Sequence, residues 1–285
     1  MPKLPSVYNF SFNTYSLFKL IKKPHFLIKS LSLQNNFGLS KKNHVFVIGP
    51  PRSGTTLLMS VVSSHSEICG YPEETYIFLK RNFLDIELKT LSKKELNSMV
   101  ISSSNLTELF DKIMATQQTE GNIVAEKTPE HAIVLNELIH AYPNSHFIGI
   151  VRDPRDGYAS ARRNPELDSW TLENYAELWR QCAAKIQEKS DYEKMIWIKY
   201  ESLCSAPEEE IEKVNDHLGL KTEGIQLNPQ GYSGQTILRD RKGHERLKSN
   251  ISSRTVGSWK KDLSNEEVSN IVEICSEEME IYNYV

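Results

Sequence analysis

Two stretches of the chain carry residues suited to holding anions. The first is Gly49 to Thr56, GPPRSGTT. Ser53, Thr55 and Thr56 offer hydroxyl donors, and Arg52 offers a guanidinium fork that matches a phosphate or sulfate. The second is Arg152-Asp153-Pro154-Arg155-Asp156-Gly157, with Ser160 about two turns further on. Two such sites imply a ligand with two separate phosphate-type groups. The alternative for the second is that its arginines simply pair with Asp153 and Asp156. Three more residues are suited to proton transfer or charge stabilisation. Glu74 follows Glu73 in a loop, Lys127 ends a short apolar run, and His131 lies four residues beyond Lys127. A fourth, His65, is expected to pack rather than react.

The elements that must position these residues read as strands alternating with helices. Val45 to Ile48 is a buried-strand pattern, stopped by Gly49-Pro50-Pro51. Leu57, Leu58, Val61 and Val62 then form the inner face of a helix whose first N–H groups, with Gly54 at its mouth, cradle an anion. A short strand around Ile68 ends at Gly70, so Glu74 falls on the loop after it. Ile123 to Ala125 is another strand, and Pro129 suits the first turn of a helix running to Ala141. His146 to Val151 is a strong strand, with a helix from near Pro154. A helix over 168–189, a strand over Met195 to Tyr200 and a helix over Pro207 to Leu218 follow, the last stopped by Gly219. Ser264 to Glu267 is a capping box that opens the final helix. This alternation predicts an α/β fold, a central, mostly parallel sheet with helices on both faces. Ligands of such sheets bind at the carboxyl ends of the strands.

Domain organisation is read as a basic arm over residues 1–42 and a single domain over 43–285, with a polar, helical insertion or cap around 76–121. Residues 228–250 read as a loop that closes on the ligand. The arm holds seven lysines and no acid. An amphipathic helix over Tyr15 to Leu33 would lie on the body, on a second subunit in a homodimer, or on a membrane surface.

Composition narrows the function. A formal net charge of −3 over 285 residues argues against a nucleic-acid binder. The four cysteines are scattered, without a C-x-x-C pair, so neither zinc nor a disulfide framework is expected. No acidic cluster calls for a metal, and no run reaches the ~20 apolar residues of a membrane span. Reduced thiols in the cytoplasm are the expected setting. The first loop nearly matches the P-loop pattern G-x-x-x-x-G-K-[ST], but Thr55 stands where the lysine would be. That departure weighs against a P-loop kinase.

With these residues in hand, the chain resembles the sulfotransferases that use 3′-phosphoadenosine-5′-phosphosulfate (PAPS). PPRSGTTLL resembles their 5′-phosphosulfate loop, and IGIVRDPRDGYAS their 3′-phosphate element. HSEICGYPEET, EKTP, IKYESL and TVGSWKKDL extend the likeness, which is similar to the tyrosylprotein sulfotransferase branch and its bacterial relatives. It covers about Val45 to Tyr282. The resemblance implies a P-loop-like sulfotransferase fold with PAPS as co-substrate, 3′,5′-bisphosphoadenosine (PAP) as product, and no metal. It implies that Arg52, Ser53, Gly54, Thr55 and Thr56 hold the 5′-phosphosulfate. Arg152 and Ser160 would hold the 3′-phosphate, and Tyr200 would sit by the nucleotide. Arg254 or Lys248 would touch phosphate near the matched Ser258 and Trp259. Lys127 would stabilise the departing charge, and Glu74 would be the base, with His131 its rival. The protein-tyrosine branch carries basic residues after its E-E-T, where this chain has Tyr76-Ile77-Phe78. A small-molecule natural-product alcohol, phenol or amine is therefore the expected acceptor. Protein tyrosine, carbohydrate and lipid acceptors remain alternatives, as does a non-catalytic nucleotide-binding module.

Overall fold

The computed structural model describes residues 24–79, 86–118, 122–164, 170–228 and 251–285. Most of the 228–250 loop, Lys248 within it, the start of the 168–189 helix and the first part of the arm lie outside the described residues. Five strands form one parallel sheet in the order β2-β3-β1-β4-β5. They are β1 (His44–Ile48), β2 (Ile68–Gly70), β3 (Ile123–Lys127), β4 (His146–Val151) and β5 (Met195–Lys199). The helices, in chain order, begin with α1 (Pro24–Leu33), α2 (Thr55–Ser63), α3 (Lys93–Ser102), α4 (Leu106–Met114) and α5 (Leu135–Ala141). They continue with α6 (Pro154–Arg162), α7 (Leu172–Glu188), α8 (Tyr200–Ser205), α9 (Pro207–Leu218), α10 (Trp259–Asp262) and α11 (Asn265–Ile281).

Period-two alternation in β1 divides the core into two layers. Val45 and Val47 pack with Leu58 and Val61 of α2, Leu203 of α8 and Val214 of α9. Phe46 and Ile48 face the other way, towards α4, α7 and α11. Every residue of β1 is buried, as a strand covered on both faces must be. Phe46 lies between two rings, 5.4 Å from Phe110 and 5.2 Å from Phe147.

From β1 the chain runs to the edge strand β2 and returns to β3, which lies beside β1. It then crosses β1 to β4 and β5 on the other. The loops after β1 and β4 therefore leave neighbouring strands and feed helices on opposite faces, α2 on one and α6 on the other. A crevice opens at such a switch point, and both arginine loops border it.

Two expectations take a different form. The segment after Lys127 is a 3₁₀ stretch over Pro129–Val134 before α5 begins. Tyr200 does not end β5 but opens α8. Within 76–121, α4 packs into the core. Its Leu109, Phe110 and Ile113 are fully buried, and it forms part of one sheet-covering layer. At the arm, α1 packs on α3 with Phe26 and Leu33 in the main core. No helix among the described residues is long and apolar enough to cross a membrane.

Candidate active site

The first loop is built around two left-handed residues, Arg52 at φ 67° and Gly54 at φ 92°. Left-handed backbone turns successive N–H groups inward into an anion nest. Gly54 is also required by contact, because a Cβ there would lie 2.4 Å from Cδ2 of Tyr200. Tyr175, fully buried on α7, supports the loop by donating its hydroxyl to the Pro51 carbonyl at 3.2 Å. The same hydroxyl presses on Gly157 of α6, where a Cβ would come within 1.9 Å. One side chain thus braces both anion loops.

The two loops meet. The Arg52 guanidinium faces Ser160 Oγ, with Nε at 3.4 Å and Nη2 at 3.3 Å. Arg152 reaches back with Nη1 to the Arg52 carbonyl at 3.5 Å. Burial holds the Arg52 pKa below its usual value, the positive charge of Arg152 adds to this, and Glu74 opposes it. Arg152 is itself buried. Its Nη2 donates to the Thr255 carbonyl at 2.7 Å, and its guanidinium lies 4.4 Å over the Tyr200 ring. Two donors in this crevice, Ser53 Oγ and Arg152 Nε, are buried with no hydrogen-bond partner among the described residues. Leaving such groups unpaired costs about 1–3 kcal/mol each. An anionic ligand would remove that cost, so the residues present fit one.

At the far side of the crevice, β2 and β3 deliver a carboxylate and an ammonium to one point. Lys127 Nζ, at the buried end of β3, pairs with Glu74 Oε1 on the loop after β2. Glu74 Oε2 accepts from the Tyr76 hydroxyl at 2.5 Å. The neighbouring acid has another task, since Glu73 accepts the N–H groups of Lys89 and Thr90, both at 2.7 Å.

A model of the sulfotransferase family matches residues 44–224. The chain belongs to the sulfotransferase family. It is 28% identical over 239 residues to a Caenorhabditis briggsae protein provisionally named a protein-tyrosine sulfotransferase, covering 75% of this chain and 80% of that one. It is 21% identical to the protein-tyrosine sulfotransferase of Drosophila melanogaster, of which the match spans only 49%. Among solved structures, the sulfotransferase domain of the curacin biosynthetic pathway superposes with TM-score 0.63 at 18% identity, over 82% of this chain and 98% of that one. A mouse sulfotransferase solved with PAP superposes with TM-score 0.51 at 15% identity, over 88% of each chain. These likenesses establish the fold, and with the family match they make the protein a sulfotransferase.

The other sequence-derived residues of this sulfotransferase fall as follows. Thr55 opens α2 and is buried, and Thr56 beside it is half-buried. Tyr200 donates to or accepts from Thr255 Oγ1 at 2.8 Å, and burial raises its pKa. Arg254 is exposed, one residue before that contact. His131 is fully buried away from the crevice, with Nδ1 3.3 Å from Glu126 Oε2 and its ring edge-on to Phe78. His65 packs at the end of α2, against the Lys221 carbonyl at 2.9 Å. Arg155 pairs with Asp153 at 2.7 Å and stacks on Trp259 at 4.3 Å, and Arg152 Nη2 lies 3.8 Å from Asp156 Oδ2, so both arginines of the second loop have the acidic neighbours of the pairing alternative.

Two residues beside these loops have roles that the sequence did not assign to them. Asp156, buried on α6, accepts from Gly257 N at 2.7 Å, Trp259 N at 2.9 Å and Ser258 Oγ at 3.2 Å. It fastens the TVGSW run across the loop after β4. Glu126, fully buried, accepts from Thr75 N at 3.3 Å, Thr75 Oγ1 at 3.1 Å and Thr128 Oγ1 at 2.5 Å. It fixes the backbone that follows Glu74. An acid inside an otherwise apolar strand was the available signal for Glu126. Asp156 reads locally as an ordinary acid in a helix's first turn.

Proposed function

We propose that this sulfotransferase takes a sulfuryl group from PAPS and passes it to a hydroxyl or amine of a small-molecule acceptor. The observation that carries the reading is the meeting of the two arginine loops, Arg52 against Ser160 and Arg152 against the Arg52 carbonyl, around two orphaned buried donors. A ligand with two phosphate-type ends suits such a crevice.

In this reading, Arg52, Ser53 and the N–H groups of Gly54, Thr55 and Thr56 hold the 5′-phosphosulfate end. Arg152 and Ser160 hold the 3′-phosphate. Tyr200 lines the nucleotide, and Arg254 approaches from the terminal run. PAPS, when bound, supplies a sulfuryl group already attached to a phosphate leaving group. The protein then has little covalent work to do, as in phosphoryl transfer. Lys127 places a buried cation where negative charge develops on the leaving oxygen. Glu74 accepts the acceptor's proton at its carboxylate, a contribution worth about 10²–10⁴ in rate. Glu74 takes this role ahead of His131 because it faces the crevice beside Lys127, whereas His131 is sealed behind Glu126. The four cysteines are thiols rather than disulfides, which supports a cytoplasmic setting.

Glu74→Gln keeps the shape of the side chain and removes the base. It should abolish turnover, while PAP binding measured by calorimetry stays as in the wild type. Near-normal turnover would refute the assignment. The small-molecule reading draws on Tyr76-Ile77-Phe78, where Ile77 and Phe78 are buried and offer no cation to an acidic peptide. The names of the worm and fly relatives favour a second acceptor, protein tyrosine. Labelled PAPS offered in parallel to small phenols, alcohols and amines and to a tyrosine peptide separates the two, read as gain of one sulfo group.

A further inference from the structure

Among the described residues, four that are not glycine adopt positive φ: Asn35, Arg52, Tyr76 and Asn283. Asparagine tolerates that region, but arginine and tyrosine do not adopt it without strain. The two strained residues therefore both lie in the candidate active site, where backbone strain is commonly held for a purpose. Arg52 shapes the anion loop. Tyr76, at φ 52°, has no part in the reaction described above.

The strain at Tyr76 is held from both sides. Before it, Thr75 N donates to Thr128 Oγ1 at 3.0 Å, and the Thr75 hydroxyl is fastened to Glu126. After it, Ile77 and Phe78 are buried, and Leu79 N donates to the Tyr76 carbonyl at 3.1 Å. With both flanks fixed, the left-handed turn folds the tyrosine back over the residue two before it. Its hydroxyl then donates to Glu74 Oε2, while Lys127 occupies Oε1. An acceptor hydroxyl that gives its proton to Glu74 makes the same kind of O–H to carboxylate contact, and Oε2, the oxygen that Lys127 does not hold, is the one the Tyr76 hydroxyl occupies.

We infer that Tyr76 is a specificity-determining residue whose phenol stands in the acceptor's place on Glu74, so that an acceptor must displace it to react. The inference rests on the reading of Glu74 as the base. It makes the Tyr76 side chain a plug of known shape, a ring with a hydroxyl at its far end. Removing the plug should open a space for a free molecule of that shape. The transfer into that space is balanced. The bond from sulfur to the phosphate oxygen of PAPS breaks, a bond from sulfur to the phenol oxygen forms, and Glu74 receives the phenol proton.

The test offers p-cresol, the tyrosine side chain as a free molecule, with PAPS to the full-length wild type and to Tyr76→Ala and Tyr76→Phe. p-Cresol sulfate is read by mass spectrometry at one sub-saturating concentration. Tyr76→Ala should form at least about tenfold more p-cresol sulfate than wild type, since the plug and its charge-assisted hydrogen bond are both gone. Tyr76→Phe, which loses the hydroxyl alone, should fall between them. PAP affinity should be unchanged in both variants, which shows that they are folded. A Tyr76→Ala protein that binds PAP normally yet forms no more p-cresol sulfate than wild type overturns the inference. So does a Tyr76→Phe protein that forms less than wild type, because the hydroxyl would then assist catalysis rather than block it. Adding Glu74→Gln to Tyr76→Ala should abolish the product. Persistence of the product would instead sink the reading of Glu74 as base, so the two failures are distinguishable.

Discussion

Gly54→Ala is expected to be among the most damaging single-methyl additions in the molecule. Two separate penalties apply. The residue sits at φ 92°, and an L side chain in left-handed backbone costs roughly 1–2 kcal/mol. The added Cβ would also lie 2.4 Å from Cδ2 and 2.9 Å from Cε2 of Tyr200. Relieving an overlap of that kind in a packed site costs about 1–3 kcal/mol. The sum, about 2–5 kcal/mol, should appear as a lower urea midpoint at unchanged slope. A double-mutant cycle with Tyr200→Ala separates the two penalties. Tyr200→Ala has its own cost, because the ring stacks under Arg152 and its hydroxyl meets Thr255. Once the ring is gone, however, Gly54→Ala should retain only the backbone part, which gives a coupling of about 1–3 kcal/mol. A Gly54→Ala protein within about 0.5 kcal/mol of wild type, the usual range for changes at featureless surface sites, would refute the reasoning. Additivity in the cycle would refute its steric half.

Asp156→Ala removes the acceptor for three donors of the 257–259 run, each worth about 1 kcal/mol or more. It should lower stability by about 3 kcal/mol and weaken PAP binding; intact PAP affinity by calorimetry would show that the run does not serve the nucleotide. Acidification should destabilise the protein through His146. Burial first, then His217 and Lys194, push its pKa down from 6.5 to about 4. Between those values the unfolded chain binds the proton and the folded one does not, so stability falls as pH drops from 6.5 and levels off below about 4. Urea titrations at several pH values should show this slope flattened in His146→Gln; an unchanged slope would contradict the assignment.

Much of the fold was legible because its signals are local. The β-branched and aromatic runs at Val45 and His146, the Gly-Pro stop after β1 and the capping box at Ser264 each act within a few residues. The anion loops were legible because their chemistry is contiguous, Arg52 through Thr56 and Arg152 through Ser160. Strand order made the difference elsewhere. Lys127 and Glu74 meet because β3 and β2 are neighbours, a fact no local pattern states. Tyr175 and Asp156 act across 124 and about 100 residues, so their roles become visible only once the chain is folded. His131 looked like a rival base because it follows Lys127 by only four residues. The 3₁₀ stretch and the burial of Glu126 turn it into the core instead.

The proposed function requires that two arginine-fronted loops grip one nucleotide bearing two phosphate-type ends. Calorimetric titration of PAP into wild type and Arg152→Ala tests it most directly. The wild type should bind one PAP per chain, and Arg152→Ala should bind it at least about a hundredfold more weakly, since two charge-assisted hydrogen bonds of about 1.5 kcal/mol each are lost. Equal affinity in the two proteins, or a wild type that prefers ATP with Mg²⁺ over PAP, would contradict it.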